Sequence, residues 1–137
     1  VYEVRAALEA LAARLAARSA RTLDPSIIAS GRDAAAAGDV AAMIAADMRF
    51  HHAVYAAAGN PLIAQSADRH WHHVRRAMGA SLQLAGVRDN VWNEHEAILE
   101  AINAGDAARA ERLARQHCES AGRALHATLS CTVTSAS

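Results

Sequence analysis

The 137-residue chain contains no lysine, and its fourteen arginines are matched by fourteen acidic side chains. That balance leaves no net positive field to draw the chain onto a phosphate backbone or an anionic bilayer. Cysteine is scarce as well. Cys118 and Cys131 are too few for a disulfide framework and form no CxxC pair, so two reduced thiols are expected. No apolar run approaches the ~18–20 residues of a membrane span, because Arg, Asp, Glu or His interrupts each one. The opening VYEVRAALEALAARLAARSAR carries charges throughout and is no secretory signal, which points to the cytoplasm. It also begins directly in helical periodicity without an initiating Met, as expected of a domain cut from something longer. Aromatic residues make up only 4% of the chain and there are two prolines, so little favours strands and little breaks helices.

What the chain has in quantity is alanine, the strongest helix former, within a hydrophobic content of 53%. The expected fold is all-α, an antiparallel bundle of six to seven helices. The first helix is predicted from Val1 to about Thr22, with Val4, Leu8, Leu11 and Leu15 as its apolar stripe and Arg5, Glu9, Arg14 and Arg18 distributed around it. Asp24 and Pro25 signal a second helix to Ala37, stopped by Gly38. Asp39 caps a third that ends at Gly59, and Asn60-Pro61 open a fourth running to about Leu84. Ala85 to Arg88 reads as a loop, Asp89 or Asn90 as the cap of a fifth helix closed by Gly105, and Asp106 as the cap of a sixth from Ala107 to Leu129. Residues 130–137, SCTVTSAS, lack periodicity and are expected to be a disordered tail. Two stretches echo each other: AGDVAAMIAADMRFH and AGDAARAERLARQHC both place a His about three turns beyond an Ala-Gly-Asp boundary.

The third helix carries an anomaly. At 100° per residue, Asp47 and His51 fall in the middle of the side formed by Val40, Met43, Ile44, Val54 and Tyr55. Burying them without partners would cost roughly 2–7 kcal/mol for each polar group, and more for a charge. A local hydrogen-bond network or a metal ion would satisfy them. His95 shares a face with Val91, Ile98 and Ile102, and His117 shares one with Leu113 and Ala124, so three helices supply four inward ligand-type side chains. Facing helices of a bundle can build a metal site in this way, and carboxylate with neutral imidazole suits zinc, nickel, manganese or iron. His52, 100° from His51, should miss such an ion, and His126 lies near the chain end. His70, His72 and His73 in RHWHHVRR diverge around the fourth helix and are assigned structural or surface roles. Trp71 and Trp92 are expected in the core or a dimer interface.

The spacing Asp47-x3-His51, His95 forty-four residues on and His117 twenty-two further, resembles the metal-binding set of the FCD family, the FadR C-terminal domain of GntR-type transcription regulators. VYEVRAALEALAARLAA, DMRFHHAVYAAAGNPLI and EHEAILEAINAGDAARAERLARQH extend the resemblance over residues 1–129. It implies a helical domain that dimerises, binds a divalent metal (zinc foremost) and a small organic-acid effector, and controls an attached winged helix-turn-helix domain. No winged-helix segment occurs in this chain, so DNA contact would come only through such an attached domain. The resemblance also nominates Arg5 and Arg75 as effector-binding, and guanidinium suits a carboxylate because it can bind it bidentately. A metal-dependent hydrolase with Glu94 or Glu96 as base is the alternative, but both lie ~100° from His95 and no nucleophile motif accompanies them.

Overall fold

The computed structural model describes residues 1–83 and 85–134, and among them there are six helices and no strand. These are α1 (Tyr2–Arg18), α2 (Ser26–Ala37), α3 (Val40–Ala58), α4 (Pro61–Ser81), α5 (Ala85–Asn103) and α6 (Ala107–Thr134). No helix among the described residues is long and apolar enough to cross a membrane. Boundaries marked by the Asp39, Asn60 and Asp106 caps fall where the sequence places them, whereas the expected cap at Asp89 or Asn90 lies inside α5. Asp39 accepts from the Ala42 amide at 3.0 Å, Asn60 from Leu62 at 3.1 Å and Asp106 from Arg109 at 3.1 Å. Gly38 and Gly105, at φ 67° and 72°, close α2 and α5 in the left-handed conformation glycine adopts without strain.

Four boundaries differ from expectation. α1 ends at Arg18, where Ser19 turns extended and its hydroxyl donates to the Ala16 carbonyl at 2.8 Å. The expected loop at Ala85–Arg88 is the first turn of α5, while α4 stops at Ser81, short of Leu84, which lies outside the described residues. Gly86 lowers helix propensity by only about 1 kcal/mol, and Arg88 donates to the Gln83 carbonyl at 3.0 Å, tying the start of α5 to the end of α4. Residues expected in a disordered tail instead continue α6 as far as Thr134, and 135–137 lie outside the described residues.

α1 is the hub, packing on α3, α4, α5 and most extensively on α6, while α2 lies against α3 and α5. The face it turns inward is not the leucine stripe. Val4 is 52% exposed and Leu8, Leu11 and Leu15 are half-buried, whereas Ala6, Ala10, Ala12, Ala13, Ala16 and Ala17 are buried together with Arg5 and Glu9. α6 answers with Ala110, Ala114, His117 and Cys118. Methyl side chains on both helices permit close approach, so alanine-on-alanine contact rather than leucine interdigitation forms this seam. Consecutive helices pack as α2–α3, α3–α4 and α5–α6, but α1–α2 and α4–α5 touch little. The link after α1 is held instead on α5, where Asn103 accepts from the Leu23 amide at 2.8 Å and donates to its carbonyl at 3.0 Å.

Trp92 and Trp71 are both core residues, 2% and 4% exposed. The Trp92 ring lies on Gly31 of α2 so closely that a Cβ there would sit 2.1 Å from it. Gly31→Ala is therefore expected to cost about 1–3 kcal/mol through overpacking, read as a lower midpoint in denaturant unfolding. An unchanged midpoint would show that Trp92 moves aside freely.

Candidate metal centre

Asp47 and His51 sit one turn apart on α3, His95 comes from α5 and His117 from α6, all four buried. One ligand-type atom of each lies within 4.8 Å of the others. His95 Nε2 stands 3.2 Å from both Asp47 Oδ1 and His117 Nε2, and His51 Nε2 is 3.7 Å from Asp47 Oδ1. The four side chains that helical spacing aims inward do meet at one point.

Two of the imidazoles are oriented by carboxylates and the third by aromatic rings. His51 Nδ1 is 2.9 Å from Glu9 Oε2 of α1, and the other Glu9 oxygen accepts from the Tyr55 hydroxyl. His117 Nδ1 is 2.5 Å from Glu94 Oε2. His95 has no hydrogen-bond partner on Nδ1 among the described residues and is held by rings: Phe50 stacks on it at 4.2 Å and Trp92 meets it edge-on at 4.7 Å. Carboxylates behind His51 and His117 place the proton on Nδ1 and turn the Nε2 lone pair inward, the tautomer a metal ligand requires.

The donor set fits a divalent ion. Bonds of about 2.0–2.2 Å to nitrogen and oxygen place neighbouring ligand atoms roughly 3–3.5 Å apart, the scale of the shorter separations here. Among the described residues Asp47 Oδ2 is buried without a hydrogen-bond partner, an acceptor that a cation would satisfy. Burial opposes the charge on Asp47, but His51, His95 and Arg5 hold its carboxyl below the ordinary carboxylate range. Burial likewise opposes the Glu9 charge and is outweighed by His51, Arg5 and Tyr55. Burial and the neighbouring His117 keep His95 neutral. Burial works against a charged His51 too, yet Glu9 and Asp47 push its pKa up to about 9.

Arg5 is buried beside the cluster. Its Nη2 lies 3.2 Å from His51 Nε2, its Nε 3.7 Å from Glu9 Oε1, and its guanidinium 5.2 Å from the Trp71 ring centre. A His51 ring protonated at both nitrogens would face Arg5 donor to donor, so this contact belongs to the neutral Nδ1–H form and doubly protonated His51 requires the guanidinium to withdraw. Arg75 is exposed on α4, one position past inward-facing Val74, and is not among the residues lining the cluster or the cavity beside it. His70 is half-buried, while His52, His72, His73 and His126 are exposed. The sequence reading missed Glu9, taken for one of several charges scattered around α1. The available signal was that Arg5 and Glu9, four apart, share a side with Ala6, Ala12, Ala13 and Ala16.

Fold and cluster together define an all-helical domain with a metal-type donor set in its core. The chain matches the FCD domain model over residues 1–120 and belongs to that family. FCD domains are the effector-binding regulatory domains of GntR-type transcription regulators. Among curated proteins no match is found.

Replacing Glu9 by Gln keeps the shape behind His51 and removes the charge. Metal affinity is expected to fall about 10–100-fold, measured by competition with a chromophoric chelator. Unchanged affinity would show that Glu9 does not act through His51.

Proposed function

We propose that the domain senses a small carboxylate effector at a divalent metal held by Asp47, His51, His95 and His117, and passes occupancy to an attached winged-helix domain through a homodimer. The observation that carries this is the convergence of four buried donor atoms within 4.8 Å in a member of the FCD family. Zinc is the ion favoured by three imidazoles and a carboxylate, with nickel, manganese and iron as competitors. An ion that accepts five or six ligands keeps a position for an effector oxygen beyond the four protein donors. Arg5 is the cation for that carboxylate, since it is buried, adjoins His51 and lines a cavity shared with Asp47 and His117. Arg75, exposed on α4, has no such support. Differential affinity of the effector for two helix or subunit arrangements supplies the regulatory free energy.

The hydrolase alternative loses both nominated bases. Glu94 is engaged with His117 Nδ1, and Glu96 pairs with Arg32 at 2.5 Å on the α2 side. A general base needs an oxygen within reach of a metal-bound water, and these engagements favour the sensor reading over catalysis.

His95→Ala and His117→Ala are each expected to lower metal content and melting temperature together, by elemental analysis and thermal unfolding with and without chelator. Metal retained at wild-type stoichiometry in both variants would defeat the assignment. Arg5→Gln is expected to weaken carboxylate binding about tenfold or more while sparing the metal. Equal effector affinity in isothermal titration would remove Arg5 from the pocket.

A further inference from the structure

Beside the cluster lies a cavity of about 50 Å³, bounded by α1, α3, the end of α4, the start of α5, and α6. By the space one water requires, it admits roughly three to five water-sized groups. Its two ends differ in chemistry. Arg5, Asp47 and His117 form the polar end, whereas Met78, Leu82, Val87, Val91 and Leu125 line the remainder. Two neutral hydroxyls, Tyr2 and Ser81, complete the wall with alanines, and Ser81 Oγ is turned back on the Met78 carbonyl at 3.5 Å. Arg5 is the single basic side chain other than His117 on this wall, and no cation faces the apolar end among the described residues.

Charge leads to the same conclusion. Of the fully buried ionisable groups, Asp47 and Glu9 carry one more negative charge than Arg5 supplies when the histidines are neutral. With Glu94 behind His117 counted as well, a divalent ion brings the site only to neutrality, leaving no positive excess to hold a second carboxylate. A second carboxylate would have to be desolvated against leucine and valine without a partner, the costliest arrangement for a buried charge.

Building on the effector reading above, we propose that the pocket selects a monocarboxylate with a short apolar tail, its carboxylate at the Arg5 end and its tail against Leu82, Val87 and Val91, and rejects dicarboxylates and polyhydroxylated acids. Val87 is the specificity position most open to test, because it is half-buried and Val→Thr preserves shape while adding a hydroxyl.

The experiment is isothermal titration of the zinc-loaded chain with acetate, butyrate, isobutyrate, malonate, succinate and gluconate, in the wild type and in Val87→Thr. Butyrate or isobutyrate should bind at least about tenfold tighter than malonate, succinate or gluconate, since an unpaired buried polar group costs that much or more. Val87→Thr should weaken butyrate severalfold and leave acetate unchanged. Succinate or gluconate binding as tightly as butyrate would overturn the selectivity while leaving the effector reading intact. Equal weakening of acetate and butyrate in Val87→Thr would overturn the placement of the tail. Absence of binding by every acid would overturn the effector reading and this inference with it.

Discussion

The structure depends on holding Glu9, Asp47, His51 and Arg5 together out of water. All four are buried; His51 of α3 lies 2.9 Å from Glu9 and 3.2 Å from Arg5 of α1, while Arg5–Glu9 and Asp47–His51 are one-turn pairs at 3.7 Å within their own helices. Removing one partner of such a set leaves an uncompensated buried charge, at a cost of about 3–5 kcal/mol. That penalty fixes the rotation of α1. Turning α1 by one residue to bury Val4 and Leu8 would gain apolar area, but would carry Glu9 away from His51 and strand its charge. The alanine face follows from this, since only methyl groups let α1 and α6 approach closely enough to seat the polar set between helices.

With α1 fixed, the remaining imidazoles are placed by parts that do not share a mechanism. His117 is set by a carboxylate on the neighbouring helix α5, and His95 by an aromatic clamp whose Trp92 is backed by Gly31 of α2. Five helices thus bear on four donor atoms. α4 contributes no donor but supplies Trp71 beneath Arg5 and, at its C-terminal end, Met78 and Ser81 on the cavity wall. A ligand in that cavity touches α1, α3, α4, α5 and α6 at once, so occupancy can bias their relative arrangement.

Much of this was legible in the residues. Asp, Asn and Gly at helix ends mark hydrogen bonds and left-handed turns that act locally, so Asp39, Asn60, Gly38 and Gly105 gave their boundaries directly. Periodicity sufficed to aim Asp47, His51, His95 and His117 inward, because each lies mid-helix among apolar neighbours. The face of α1 was not legible, since leucine outweighs alanine in any sum of hydrophobicity and the decisive pairing of Glu9 with His51 is forty-two residues long. The start of α5 was missed for a related reason: Gly86 and Asp89 look like loop chemistry, whereas the Arg88 bond to the Gln83 carbonyl and the seating of Val87 and Val91 on the cavity wall are tertiary. Arg75 was placed by resemblance alone, and its neighbour Val74, not Arg75, takes the inward position.

Arg5 links the two halves of the proposed reading. Its Nη2 now faces the His51 Nε2 lone pair at 3.2 Å, the lone pair that a metal held by these four residues would use. An ion there would take that acceptor away and repel the guanidinium, which Glu9 holds through Nε at 3.7 Å. The freed donors would then face the adjoining cavity, the space in which an anion can supply a partner. On this reading the metal does more than present an open coordination position. An ion held there would leave Arg5 to act as a carboxylate receptor rather than as a partner of His51, and because coupling between two bound species is reciprocal, a carboxylate on Arg5 would in turn tighten the metal.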